Sequence, residues 1–304
     1  GTDMDAIQKV LVVGRGAVGG LFGTLIEEKI GDRFAFLCDE DRKARYQQND
    51  YVVNGVKTTV RYVSPADAYP VDLVLIATKA SGFADAMEQI KPFLKPDTIL
   101  VSCLNGIESD ETLMRAFSQP VIRAISQKMD ARYHDGELTY SSTGELVIGM
   151  EQKSQKEAFE ALVDFFERIR FPYVASNDIV HDQYSKLMLN CGINQVCAIH
   201  RATYGNVMWD PELHRLFVDT MKETRDVLAT QGVRISDAEI ESWEDAIARL
   251  DPDSMPSMAQ DVLAGRKTEV DLFAKTIMDI AKKAGVPAPV NTMLYGKIKE
   301  IEKR

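Results

Sequence analysis

Gly14-Arg15-Gly16-Ala17-Val18-Gly19 follows directly on the apolar run Val10-Leu11-Val12-Val13 and opens a stretch of helical periodicity, Ala17 to Ile30. Each glycine in that spacing has its own physical task. The first permits a tight turn, and the second lets backbone N–H groups approach a pyrophosphate at the helix N-terminus. The third lets helix and strand pack closely. The positive end of the helix dipole favours the anion there. Gly23 continues the small face along the helix. Strand, glycine loop and helix in this order specify a dinucleotide-binding unit, against the alternatives of an ordinary glycine-rich turn or a nucleoside fold such as a methyltransferase.

Further short apolar runs suit parallel strands buried on both faces: Phe34-Ala35-Phe36-Leu37, Leu73-Val74-Leu75-Ile76 and Ile99-Leu100-Val101. Helical patterns lie between and after them, at 42–48, 83–93 and 108–117. The alternation predicts a parallel α/β sheet with right-handed crossovers. Asn54-Gly55 between β-formers predicts a type I′ hairpin, so 51–62 reads as a small ribbon. More strand-like pieces occupy 121–149, then a helix over about 155–169, with Phe171-Pro172-Tyr173-Val174 as a last strand. From Ile179 on, the periodicity is helical only, at 179–199, 211–231, 236–249, 257–284 and 290–303. The expectation is a Rossmann-type parallel-sheet domain over 1–177, holding the dinucleotide. An all-α C-terminal domain over 178–304 would serve substrate and catalysis.

Composition narrows the function class. Thirty-six Lys and Arg against 46 Asp and Glu give a net charge of −10. That lacks the basic footprint nucleic acid or an anionic membrane needs, though a local basic pocket for an anion remains open. The longest apolar stretch, 71–77, is interrupted by Asp72 and is too short to span a bilayer. Cys38, Cys103, Cys191 and Cys197 form no CxxC pair, which reads as buried reduced thiols in a cytoplasmic protein, with no disulfide frame and no metal site. No signal-peptide pattern is present, and Gly1-Thr2-Asp3 ahead of Met4 reads as a cloning remnant. The helical half is large enough to support a homodimer.

Asp39 ends the second strand, where an acid accepts hydrogen bonds from the adenosine ribose and repels a 2′-phosphate, favouring NAD over NADP. Arg42 is placed to turn toward such a phosphate, and Asp39 equally fits the N-cap of a helix over 40–48. Lys79 and Asn105 each follow a buried strand, at the end of the sheet where ligands bind in open α/β folds. A solvated loop lysine and a turn-forming asparagine are their plainer readings.

In the helical half, Lys186, Asn190 and Asn194 recur at i, i+4 and i+8 within an otherwise apolar segment, 184–199, so they share one face. Burying three such groups costs several kcal/mol unless something polar meets them, which a cleft with a polar ligand provides. A solvated face is the alternative. Ser257 with Gln260 fits a capping box. Asp261, Gly265 and Glu269 follow at four-residue steps on one face, with Arg266 or Lys275 as surface partners for Glu269.

Taken together and in order, these residues resemble the ketopantoate (2-dehydropantoate) 2-reductases over essentially the whole chain. The likeness rests on Gly14 to Gly19, Thr78-Lys79, Leu104-Asn105-Gly106, Lys186 with Asn190 and Asn194, Ser257-Met258 with Asp261, and Thr268-Glu269-Val270-Asp271. The resemblance implies Lys186 as general acid, and Glu269 as the acid that holds the substrate hydroxyl or partners the lysine. It implies Asn190, Asn194 and Ser257 as substrate contacts, and Lys79 and Asn105 as cofactor contacts beside the loop Gly14, Arg15, Gly16, Ala17, Val18 and Gly19. Members of that family usually carry an Arg at the end of the second strand, which meets the 2′-phosphate of NADP; here Asp39 stands there, with Arg42 three residues on.

The implied activity is NAD(P)H-dependent reduction of 2-dehydropantoate to D-pantoate, a step toward pantothenate and coenzyme A, with a small 2-keto acid as substrate and no nucleic-acid or membrane partner. One alternative is a D-2-hydroxyacid dehydrogenase acting on another branched or aryl 2-keto acid. Another, of a different class, is a non-catalytic dinucleotide-sensing protein.

Overall fold

In the computed structural model, residues 6–304 are described, and Gly1-Thr2-Asp3 lies outside them. The chain divides into two compact units. One runs through Asn105 and again over Ser109–Ile179; the other comprises Gly106–Glu108 and Val180–Arg304.

In the first unit the β-branched and aromatic runs become strands, and intervening amphipathic stretches become helices. In order these are β1 (Val10–Val13), α1 (Ala17–Ile30), β2 (Phe34–Leu37), α2 (Glu40–Gln48), β3 (Val52–Val53), β4 (Val56–Lys57), β5 (Tyr62–Val63), β6 (Val71–Ile76), α3 (Phe83–Ile90), β7 (Leu94–Ser102), α4 (Glu108–Ala116), β8 (Arg123–Met129), β9 (Arg132–His134), β10 (Glu137–Thr139), β11 (Thr143–Gly149), α5 (Lys156–Ile169) and β12 (Tyr173–Ser176). The main sheet has the order β5-β2-β1-β6-β7 with every pair parallel. Chain order reverses direction between β1 and β6, which makes the space beyond their carboxyl ends the switch point. A three-stranded sheet, β12-β11-β8, is bridged to β7 through Leu100 and Val121.

The pleat sorts side chains onto two apolar layers. Val10, Val12, Phe34, Phe36, Leu73, Leu75, Ile99 and Val101 pack on one face with Phe22, Phe165 and Phe166 of α1 and α5. Leu11, Val13, Ala35, Leu37, Val74, Ile76 and Leu100 pack on the other with Phe83, Ile90 and Leu113 of α3 and α4. Burial on both faces is why these strands read as unbroken apolar runs.

The ribbon is shorter than 51–62. Asn54 and Gly55 have φ of 49° and 80°, as a type I′ turn requires, but only β3 and β4 pair across it. Tyr62-Val63 departs to the edge of the main sheet beside β2, while β10 and β9 extend the ribbon into a four-stranded sheet, β4-β3-β10-β9. Long-range pairing of Leu138 with Val53 sets that sheet, which local alternation does not encode.

The second unit is helical: α6 (Ile179–His200), α7 (Tyr204–Trp209), α8 (Pro211–Ala229), α9 (Asp237–Ala248), α10 (Ser257–Leu263), α11 (Ala274–Ala284) and α12 (Pro289–Glu302). The single helix expected over 257–284 is two helices. Gly265 takes φ +70°, ending α10, and a 3₁₀ turn over Val270–Leu272 precedes α11. Short α7, capped by Thr203 and Asn206 in a reciprocal box, was not apparent from periodicity. A buried polar knot ties four helices. The Glu223 carboxylate accepts from the backbone N–H of Val290 (2.9 Å) and Asn291 (2.7 Å) and from Asn291 Nδ2 (2.9 Å), satisfying donors at the start of α12. Gln195 Nε2 donates to Cys191 O (2.7 Å), and Gln195 Oε1 accepts from Ala274 N (2.9 Å) at the start of α11.

No helix among the described residues is long and apolar enough to cross a membrane, and no group of metal-ligating side chains occurs among them. All four cysteines are free and buried.

The Gly23 contact gives a quantitative test. A Cβ there would stand 2.5 Å from the Phe36 ring, itself 1% exposed. Alanine in a helix gains about 1 kcal/mol over glycine, but overpacking a dense core costs about 1–3 kcal/mol. The expected result for Gly23→Ala is a net loss of about 1 kcal/mol, read as a lower urea midpoint. A raised midpoint would show that α1 does not press on β2 at this point.

Candidate active site

The glycine loop is held where the main sheet switches direction. Gly14 has φ +99°, and a Cβ on it would meet Ala77 O at 2.6 Å, so only glycine fits between the loops after β1 and β6. A Cβ on Gly19 would lie 1.8 Å from Gly14 O, which is why α1 can start hard against the strand. Gly16 is the N-cap of α1 and makes no side-chain cap bond; no acidic residue occupies the first turn, and a Cβ on Gly16 would meet nothing within 4 Å. Ala17 and Val18 supply the first helical N–H groups behind it. Beside the loop, the buried Thr78 Oγ1 has no hydrogen-bond partner among the described residues. An open helix N-terminus, glycines where a Cβ would clash, and an orphaned hydroxyl fit a dinucleotide pyrophosphate.

The side chain of Arg15 is held elsewhere. The residue is 7% exposed, and its guanidinium stacks on Tyr46 and Tyr51, with ring centroids 3.8 and 4.1 Å away. It donates to the hydroxyls of Tyr62 and, at 2.8 Å, Tyr133. Its Nε has no acceptor among the described residues. What Arg15 has left to offer a ligand is therefore its main chain.

Since all five strands of the main sheet are parallel, their carboxyl ends share one edge, and the remaining first-unit residues gather there. Asp39 follows β2 and caps α2, its Oδ1 accepting from Arg42 N at 2.7 Å. The capping reading is thus realised. Asp39 is nevertheless half exposed, and Oδ2 is only loosely paired with Arg42 Nε at 3.9 Å. Lys79, exposed, lies beyond β6, and Asn105, partly buried, beyond β7.

In the second unit, α6 carries Lys186, Asn190 and Asn194 on one continuous helix. Asn190 is 8% exposed, while Lys186 and Asn194 are partly buried. The Lys186 ammonium is strongly desolvated, which pulls its pKa down to about 8, and Glu269 opposes that shift. Glu269 thus stands electrostatically against Lys186. The surface partners that spacing offered it are engaged otherwise, Arg266 with Asp261 (2.9 Å) and Lys275 with Asp279 (3.0 Å).

Two expectations for the segment after α9 need correction. Ser257 is not an N-cap: Pro256 takes that position in extended geometry, so Ser257 falls inside the first turn, exposed, and makes no capping bond. Gln260 Nε2 donates instead to Met255 O at 3.0 Å. Asp261, Gly265 and Glu269 do not share a helical face, because the chain leaves the helix after Leu263. Glu269 precedes the 3₁₀ turn, and its side chain makes no cap bond there.

Several supporting residues had no legible signal. Gln195, the four tyrosines around Arg15 and Glu302, which binds Thr268, act through partners scores of residues away. The one local hint was a glutamine beside Asn194 in an apolar helix.

Both units of the chain are similar to known proteins. Residues 10–153 match the family Ketopantoate reductase PanE/ApbA, and residues 178–302 match Ketopantoate reductase PanE/ApbA C terminal. A 2-dehydropantoate 2-reductase of Pyrococcus horikoshii is 24% identical over 299 residues, 97% of each chain. Among solved structures, a PanE/ApbA family ketopantoate reductase from Ralstonia eutropha superposes with a TM-score of 0.83 at 24% identity, covering 97% of this chain and 98% of that one. D-mandelate dehydrogenase with NADH and anilino(oxo)acetate gives 0.84 at 21% identity with the same coverage. With both halves matched in order, the chain belongs to the ketopantoate reductase family and is an NAD(P)-dependent oxidoreductase.

Proposed function

We propose that this protein reduces 2-dehydropantoate to D-pantoate, with Lys186 as the proton donor. The observation that carries the reading is the desolvated Lys186 ammonium opposite Glu269, on the helix face that also bears Asn190 and Asn194. The chemistry a reduced nicotinamide would supply, when held at the Gly14 to Gly19 loop, is hydride for the carbonyl carbon. Negative charge then develops on the carbonyl oxygen, where an ammonium within hydrogen-bond reach stabilises it and hands over a proton from Nζ. A pKa near 8 suits that task, because the donor is charged at neutral pH yet gives up its proton readily. Glu269 keeps enough of the charged form and accepts from the substrate hydroxyl. Asn190 and Asn194 orient the substrate, and the exposed Ser257 hydroxyl binds its carboxylate. In this reading the first unit holds the dinucleotide through Gly14 to Gly19, with Lys79 and Asn105 as further contacts at the same sheet edge.

A second reading, a D-2-hydroxyacid dehydrogenase on another branched or aryl 2-keto acid, is favoured by Asp39. A carboxylate at the end of β2 disfavours a 2′-phosphate and so favours NADH, with Arg42 close enough to soften that preference. An absorbance assay with NADH and NADPH against 2-dehydropantoate and a panel of 2-keto acids separates the two. Binding of cofactor without turnover on any of them would instead support a sensing role.

Lys186→Ala should lower kcat by about 10²–10⁴-fold while leaving NAD(P)H affinity nearly intact; unchanged turnover would remove Lys186 from the mechanism. The reducing rate should be flat below pH about 8 and fall as pH rises through it, because only protonated Lys186 can donate. A rate that climbs across that range would contradict a lysine acid. Asp39→Asn keeps a capping oxygen and removes the charge, so NADPH affinity should rise relative to NADH. A constant ratio would leave Asp39 as a cap alone.

A further inference from the structure

Glu269 sits in a turn that other elements hold from both sides. On its N-terminal side, Thr268 donates twice to Glu302 Oε1, from its backbone N–H at 2.9 Å and from its hydroxyl at 2.6 Å. The same hydroxyl accepts from Val270 N at 3.3 Å, so one threonine links the residues before and after Glu269 to a carboxylate 34 positions away. On its C-terminal side, Leu272 N closes the turn onto Glu269 O at 2.9 Å, and Ala274 N is tied to Gln195 on α6. Glu302 is itself fixed: its side chain is 10% exposed and its Oε2 lies 3.4 Å from Lys299 Nζ, which also faces Asp271 at 3.6 Å. Burial alone would raise the Glu302 pKa, but the two Thr268 bonds and Lys299 outweigh it and hold the carboxyl below its usual range. Glu302 is thus charged and in place at neutral pH.

The Glu269 side chain makes no cap bond to the 3₁₀ turn that follows it. The backbone on either side of Glu269, held by Glu302 and by Gln195, sets where that side chain starts. Coulomb attraction falls with separation, so a turn free to drift would weaken the Lys186–Glu269 interaction without removing either residue. We propose that Glu302 is a positioning residue: by holding Thr268 it fixes the turn that keeps Glu269 against Lys186. Gln195 anchors the far end of the same turn to the helix that carries Lys186. The inference rests on Lys186 and Glu269 being the working pair, but its test does not depend on the substrate.

The test is an NMR titration of the Lys186 side chain in the protein labelled with ¹³C-lysine, without cofactor, assigned by its loss in Lys186→Ala. The charged groups that bear on the readout are Glu269 for Lys186, and Lys299 and Asp271 for Glu302. Lys186 should titrate near 8 in the parent protein and lower in Glu269→Gln, which removes the opposing carboxylate. Glu302→Ala should lower it by about half a unit or more, in the same direction. Glu302→Gln, which keeps an acceptor oxygen for Thr268, should recover most of that shift. In the Glu269→Gln background, Glu302→Ala should add nothing, because residues acting through one another are non-additive. Thr268→Val removes the hydroxyl and keeps the backbone donor, so it should give a partial shift even if Glu302→Ala does not fold.

The proposal is overturned if Glu302→Ala and Thr268→Val leave the titration of Lys186 in place while Glu269→Gln moves it. It is also overturned if Glu302→Ala shifts Lys186 equally with and without Glu269. A titration that Glu269→Gln leaves unmoved would overturn the pair itself. Failure of the ketopantoate reading would instead show as absent turnover with these shifts intact.

Discussion

Taking an ammonium out of water costs several kcal/mol unless an opposite charge stands by, and the helical unit is organised around that cost. Lys186 is desolvated by burial, and Glu269 meets it from a segment that is not an α-helix. A helix at 257–284 would have made Glu269 one more residue on a rigid cylinder. The break at Gly265 and the following turn free it to be aimed by its neighbours. Even the fully buried Gln195 and Asn291 fit this view, since they fix α6, α8, α11 and α12 to one another without an exposed bond. Glu269 offsets part of the desolvation of Lys186, and the polar knot ties the helix that carries the lysine to its neighbours.

The sheet unit answers a different constraint, the approach of backbone to backbone. Gly14 against Ala77 and Gly19 against Gly14 bring strand, loop and helix closer than any side chain would allow. The N-terminus of α1, capped by a glycine, carries no side-chain acceptor for its first N–H groups. Everything else at the carboxyl edge of the sheet, from Asp39 to Asn105, is placed there because all five strands run the same way.

Local regularity was what the sequence made legible. Glycine spacing, doubly buried strands and the four-residue recurrence of Lys186, Asn190 and Asn194 depend on neighbours within a few residues, and each appears in the structure where its period puts it. What stayed hidden depends on distant partners. The join of β10 to β3, the removal of Arg15 from the ligand side and the bond from Thr268 to Glu302 all cross dozens of positions. Ser257 shows the narrow limit of local rules, for a proline one residue earlier was enough to displace it from the cap.

The tyrosine cage has a bearing on how such a chain can diverge. Arg15 is a buried cation that donates to the hydroxyls of Tyr62 and Tyr133, and its stacking partners arise in α2, ahead of β3, in β5 and in β9. Losing one tyrosine weakens the shelter of a charge that has nowhere to go, and losing the arginine leaves phenols facing a void. The five positions are therefore energetically coupled, and a change at one is tolerated only when the others change with it.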